Sequence, residues 1–324
     1  MNLTRRSVIQ STVAIGAVSL LGAPRIVRAA ETDTVRLGWG RGGLPLIAKQ
    51  RGDLEKTLAE KGIKTEWVGP FPNHAPSLQA VAGGSADFGF WGSTTPALAA
   101  ILAGQPFVFT QFNVYKPRST AIIVKKDSGI DSVADLKGKS IAVNRSGLGE
   151  FLLIAALEKN GLSRKDVNVV YLNPPDAAPA FGQGKVDAWS MWTPAVDIAR
   201  DQFDAKDIFF EGTDLDFLID YSSLVTTRDF AEKNPAVVRA TIDAYRTEGQ
   251  WITDHAAESE AIAQAEGKYS DTVRDHLIGL HRENVFYEAD DPKFLAEFQR
   301  AADWLTERQI LPAQITVSDY VVRT

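Results

Sequence analysis

Three stretches of the chain place hydroxyl residues, glycine and proline where they could hold an anion. "GSADFGFWGSTTPA" occupies residues 84–97 and "GKVDAWSMWTPA" residues 184–195. Each has a Gly, two residues, an Asp, a short apolar run with Trp, and a hydroxyl residue close before Pro-Ala. Hydroxyl-then-Pro is the signature of a helix start. Ser93 or Thr94 is the expected N-cap of one helix, with Pro96 in its first turn. Thr193 is the expected N-cap of another, with Pro194 at the first helical position. Helix starts carry unpaired N–H groups and a partial positive charge, which suits an oxyanion. The third stretch, "NRSGLGEFLL" (144–153), also opens a helix. Its Ser146, Gly147 and Leu148 are candidate contacts, and its glycines permit close backbone approach. Arg145 faces either a cleft or solvent. No Gly-Lys-Ser/Thr follows, so this is not a P-loop, and the glycines do not fit a dinucleotide fingerprint. A blander reading stands beside the ligand reading: the loops share turn chemistry and nothing more.

Aromatic residues flank these loops. Trp39, Trp91, Trp189 and Trp192 sit at the ends of expected strands, and Phe71 lies in "GPFPNHAP" after the second. They could cradle the organic part of a small ligand, and at least half of them are expected to be core. Asp87 and Asp187 each follow Gly-x-x and read as residues that fix their loops, with Asp187 also kept as a candidate contact. Covalent chemistry has little to work with. Cysteine is absent, and His74, His255, His276 and His281 show no metal-ligand spacing. Only His74 lies near an expected cleft loop. No metal or cofactor is implied.

The elements that position these loops alternate. Strands are expected at 34–39, 64–69, 86–91 and 106–112, with helices at 43–60, 75–83 and 95–103. A second series follows, with strands at 119–126, 139–144, 167–173, 186–191 and 207–212 and helices at 148–160, 176–183 and 194–203. One more strand is expected at 221–229, then helices at 235–254, 256–267, 270–283 and 291–308. Repeated β-α-β implies an α/β fold with mostly parallel sheets flanked by helices. In such sheets ligands bind outside the carboxyl ends of strands, where the repeated phrase falls in each half. Two such loops facing each other would form one shared site.

The bulk numbers agree with a soluble two-domain protein of 324 residues, 44% hydrophobic and 23% charged. Net charge is −6, and the first 29 residues hold four Arg and no acid. Without them 31 basic residues face 41 acidic ones, a balance of −10 that argues against nucleic acid and anionic membrane surfaces. Those 29 residues read as an export signal: Arg5 and Arg6, an apolar run from Val13 to Leu21 too short to span a bilayer, and a small-x-small site at Val27-Arg28-Ala29. Thr4-Arg5-Arg6 is similar to a twin-arginine signal, although Val8 and Gln10 replace the usual Phe and Lys. With no Cys to lipidate, a soluble periplasmic protein is expected.

At this point a family resemblance emerges. "VRLGWGRGGLPLIAK", "DLKGK", "LLIAALEKNGL", "VDAWSMWTP" and "EKNPAVVRATIDA" span most of residues 35–245. The chain resembles the periplasmic substrate-binding components of ABC importers for sulfonates, taurine and nitrate. The resemblance implies a type II periplasmic-binding-protein fold of two lobes joined by two crossovers. Lobe 1 would comprise 30–117 and 214–324, and lobe 2 118–213, with the C-terminal helices buttressing lobe 1. It implies a monomer that holds a small anionic organic ligand and delivers it to a transmembrane permease. Ligand contacts are implied at Trp39, Gly40 and Arg41, at Gly92, Ser93 and Thr94, at Arg118, at Ser146-Gly147-Leu148, and at Asp187, Trp189 and Trp192. Alkanesulfonate-binding members often carry Asp at the positions of Ser93 and Thr193 and consecutive Ser at 146–148, whereas Ser93 is similar to taurine-binding members. Nitrate and a thiamine precursor are alternative ligands. Enzymes on related folds need a reactive Cys or His, which argues against catalysis here.

Overall fold

The computed structural model describes residues 32–322. The expected export signal lies outside them. The first lobe opens with β1 (Thr34–Gly38), α1 (Gly43–Arg51), α2 (Asp53–Glu60), β2 (Lys64–Val68), α3 (His74–Ala82), β3 (Gly92–Ser93), α4 (Thr94–Leu102) and β4 (Phe107–Lys116). The second contains β5 (Ala121–Lys125), β6 (Ser140–Val143), α5 (Leu148–Lys159), β7 (Asn168–Tyr171), α6 (Pro174–Gly182), β8 (Ala188–Met191), α7 (Ala195–Phe203) and β9 (Ala205–Phe210). After α8 (Glu211–Asp214) the chain returns to the first lobe. There it adds β10 (Ser222–Thr227), α9 (Arg228–Lys233), α10 (Pro235–Asp254), α11 (Ala256–Gly267), α12 (Asp271–Gly279), β11 (Glu283–Tyr287) and α13 (Pro292–Glu307).

Pairing is mixed rather than mostly parallel. β1 and β2 pair in parallel, as do β7 with β6 and β6 with β8. The strands that carry the chain between lobes pair antiparallel: β10 and β11 with β4, and β8 and β9 with β5. The expected strand at 86–91 does not form a full ladder, and its bonds explain why. Gly38 donates its N–H to the Phe88 carbonyl at 2.9 Å, but Gly89 donates to Val225. The segment leaves parallel β1 and joins antiparallel β10 at Gly92–Ser93.

Local chemistry sets the other boundaries. The expected helix 43–60 breaks at Gly52, which adopts φ 72° and ends α1 in a left-handed cap. The helix expected at 270–283 stops at Gly279. "ENVFY" then pairs with the edge of β4, the antiparallel partner its β-branched and aromatic content favours. The first lobe buries two apolar clusters. In one, Phe294 and Phe298 of α13 pack on Phe109, Phe112 and Tyr221. In the other, Val238 and Tyr245 of α10 pack with Leu54, Leu58 and Trp91. The C-terminal helices therefore cover the first lobe, and they also reach the second. His276 of α12 lies 3.3 Å from Asp197 of α7, and Arg308 after α13 meets Glu158 of α5 at 2.9 Å. Phe151 and Ala155 of α5 are buried in the first lobe's cluster.

Candidate functional site

The two Asp residues of the repeated phrase do the same job in each lobe. Asp187 accepts the Ser140 N–H and hydroxyl, each at 2.7 Å, and its own N–H donates to the Ser140 carbonyl at 2.8 Å. Asp87 accepts the Arg36 N–H at 2.7 Å, and its N–H donates to the Arg36 carbonyl at 2.8 Å. Arg36 adds a 2.5 Å ion pair. Asp187 locks the first residue of β6 and Asp87 the middle residue of β1. Asp187 is thus a strand clamp and not a contact of the cleft. Its carboxyl is held below the ordinary range; burial raises it, but Ser140's bonds outweigh that.

In the first lobe the loops at the strand ends are tied to one another. Trp39 donates to the Val68 carbonyl at 3.0 Å and accepts from Phe71 at 2.8 Å, so both half-buried aromatics follow neighbouring strands. Lys49 lies 4.7 Å above the Trp39 ring. His74, the first residue of α3, is buried, and its Nδ1–H donates to the Ser93 carbonyl at 2.7 Å. Burial pushes His74 down to about 4, against the opposing pull of that hydrogen bond. A Cβ on Gly92 would collide with the His74 ring, so only glycine fits beneath it. Arg41 departs from the cleft expectation: it is 68% exposed and ion-paired with Glu266 of α11. Trp91 is core, edge-on to Tyr245 and Phe286.

The first N–H of α4 is already taken, although the buried Thr95 hydroxyl beside it has no partner among the described residues. Ser93 occupies the N-cap position without a capping hydrogen bond. Instead Asp220, from the returning crossover, accepts the Thr94 N–H at 2.9 Å and the Thr94 hydroxyl at 2.6 Å. Burial pushes the Asp220 carboxyl up, opposed by Thr94 and Ser93 and by the nearby Arg118. Arg118 is held at the crossovers as well. Its Nε donates to Glu211 at 2.9 Å and its guanidinium to the Asp220 backbone carbonyl at 3.1 Å. Thr94, expected as a ligand contact, therefore spends its donors inside the protein, and Arg118 spends its Nε and Nη1 there, while its buried Nη2 has no hydrogen-bond partner among the described residues.

The start of α5 is different. Ser146 turns the chain at φ 53° and donates its N–H to Glu150 at 2.7 Å. Tyr171 and Arg164 hold the other side of that carboxylate, at 2.6 and 2.9 Å. Arg145 is exposed and stacks 3.7 Å from the Tyr171 ring centre. Gly147 takes the N-cap position, and the Leu148 and Gly149 N–H groups open the helix with no acceptor among the described residues. Asn144 crosses this opening so closely that a Cβ on Gly147 would overlap its amide. Its buried Oδ1 has no partner among the described residues. Gly149 rests against β8: Ser190 Oγ donates to the Gly149 carbonyl at 2.7 Å, and a Cβ would strike the Ser190 carbonyl.

The last loop corrects two expectations. α7 begins at Ala195 with Pro194 in the N-cap position, and the Thr193 hydroxyl reaches the Ser119 carbonyl at 3.4 Å instead of capping. Trp189 is 2% exposed and packs on Phe181 in the second lobe's core, because it lies within β8 on the face that Phe181 covers. Trp192, just past β8, is half-buried. Trp39, Phe71, Ser93, Ser146, Gly147, Leu148 and Trp192 thus remain at or next to loops that follow strands. Among them the α5 start alone presents two open N–H groups.

Residues 56–259 match the family described as NMT1/THI5 like. The chain belongs to that family. This NMT1/THI5-like chain is 30% identical over 312 residues to an Escherichia coli (strain K12) protein named for aliphatic sulfonate binding, covering 95% of each. It is 32% identical over 186 residues to the taurine-binding periplasmic protein of the same organism, covering 56% of this chain and 55% of that one. Among solved structures, the alkanesulfonate-binding protein SsuA from Xanthomonas axonopodis bound to MOPS aligns with a TM-score of 0.82 at 26% identity, covering 91% of this chain and 100% of that one. The desulfurization enzyme DSZB shares the fold, at a TM-score of 0.64 and 18% identity. Asp220, Asn144 and Ser190 went unseen in the sequence. Asp220 and Ser190 act on loops 126 and 41 residues away, which no local spacing marks, and Asn144 acts on Gly147 within its own loop.

Proposed function

We propose that this chain is a periplasmic solute-binding protein that holds a small organosulfonate between its lobes and delivers it to an ABC import permease. The observation that carries the reading is the open start of α5. Two N–H groups and the positive end of a helix dipole offer charge-assisted hydrogen bonds to a sulfonate. Trp39, Phe71 and Trp192, half-buried at loops, supply apolar surface for the carbon part. The likeness to relatives named for sulfonate and taurine binding supports the same ligand class. Residues 118–213 act as the second lobe, and closure onto the first reports occupancy. Thiol chemistry is out of reach of a chain without Cys, which favours binding over catalysis. Among the described residues no helix is long and apolar enough to cross a membrane.

The test is thermal stabilisation of the mature protein with alkanesulfonates, taurine, aromatic sulfonates, nitrate and thiamine precursors. A ligand at about 100 times its Kd adds about 2.7 kcal/mol to stability. Stabilisation by sulfonates is the expected result. Absence of a shift with every sulfonate, or a shift with nitrate or a thiamine precursor alone, would overturn the ligand class.

A further inference from the structure

Both helix starts carry a carboxylate of the protein, but at α5 Glu150 takes the Ser146 N–H and is ion-paired with Arg164, so the first helical N–H groups stay free of any acceptor among the described residues. At α5 the N–H groups of Leu148 and Gly149 are open. At α4 the corresponding place is taken by the protein's own carboxylate: Asp220, 3% exposed, accepts both donors of Thr94. Around it, Glu211 is a second buried carboxylate, and Arg118 is the one cation that bonds to this cluster among the described residues. With both carboxylates ionised, two against one guanidinium leave a formal charge of −1. A helix start attracts an anion only until one has arrived; a second is repelled by the first.

We propose that Asp220 is a specificity-determining residue: by occupying the start of α4 it turns the first lobe's side of the cleft against anions, so that the protein accepts sulfonates with one negative charge and rejects those with a second anionic group. The sulfonate then points to α5 in the second lobe, and its uncharged or cationic end to Ser93, Trp39 and Phe71 in the first. Asp220 acts through charge and through its hold on Thr94, not by donating to the ligand. The inference rests on the reading of the α5 start as a sulfonate site.

Titration calorimetry with sulfoacetate and sulfoacetamide tests it, because the two differ in charge and hardly in size. The wild-type protein should bind the amide about tenfold or more tightly than the carboxylate, as expected for like charges brought together. Asp220→Asn keeps an acceptor for Thr94 and removes the charge, and should bring the two affinities to within about threefold. Asp220→Ser, smaller and equally neutral, serves if the first variant fails to fold. Equal wild-type affinities, or a preference that survives in the neutral variants, would overturn the role of Asp220 while leaving the sulfonate site standing. Binding of neither compound, nor of any unsubstituted alkanesulfonate, would overturn the sulfonate site and this inference with it.

Discussion

Acidification should loosen the first lobe through His74. Its ring is buried at 4% exposure and its Nδ1–H is committed to the Ser93 carbonyl, so a second ring proton has no water to meet. The unfolded chain takes that proton near 6.5, and the folded protein only at about 4. Between those values the unfolded state binds more protons, so stability falls as pH falls. The contribution is fully present above the unfolded value and is lost as pH drops to the folded one. It amounts to about 3 kcal/mol in all, with about 2 kcal/mol gone by roughly pH 5. Asp220 and Glu248 oppose it: burial raises both carboxyls, so each gains stability on acidification. A reference variant removes that background. His74→Asn keeps an N–H donor within reach of Ser93 and does not titrate. Urea unfolding of both proteins between neutral pH and about pH 4.5 should show the wild type losing about 2 kcal/mol more than the variant. Equal losses would refute the assignment of His74 as a buried, neutral donor that secures the Ser93 loop.

Two substitutions probe the α5 start. Gly149→Ala places a methyl against the Ser190 carbonyl, a backbone atom that cannot swing away. It should destabilise the protein by about 1–3 kcal/mol in chemical denaturation and weaken sulfonate binding, since the helix start must shift. Ser146→Asp adds a carboxylate beside the open N–H groups while tolerating the left-handed backbone at φ 53°. It should abolish anion binding in calorimetry with little change in melting temperature; unchanged affinity would remove this loop from the site.

Local pattern carried the architecture well. Alternation of apolar runs with glycine-ended helices located nearly every strand and helix, because those signals act over a few residues. What stayed hidden were long-range decisions. Residues 86–91 read as one strand, yet the segment changes partner from β1 to β10 at Gly89, which depends on Val225. β11 was missed because its reason for existing is the free edge of β4. The site divides in the same way. The hydroxyl and glycine loops were legible as helix starts, but which one is open was not. Asp220 fills α4 from 126 positions away, and Ser190 braces Gly149 from 41. Trp189 and Trp192 are three residues apart, and β8 geometry sends one into the core and leaves the other half-buried at the loop. The repeated Gly-x-x-Asp marks a shared strand clamp, seen once Asp87 and Asp187 are found bonding Arg36 and Ser140 alike.

The account turns on the backbone of α5, and one variant isolates it. Leu148 is the first helical residue, where proline is well tolerated, and Gly147 before it is extended at φ −130° and ψ 174°, as a residue preceding proline must be. Leu148→Pro therefore deletes one open N–H and spares the helix. The decisive measurement is the calorimetric Kd of the best-stabilising sulfonate for this variant against wild type. A charge-assisted hydrogen bond is worth about 1.5–3 kcal/mol, so affinity should fall about tenfold or more, with the melting temperature of the ligand-free protein nearly unchanged. An unchanged Kd in a folded Leu148→Pro protein would contradict the claim that the start of α5 holds the anion.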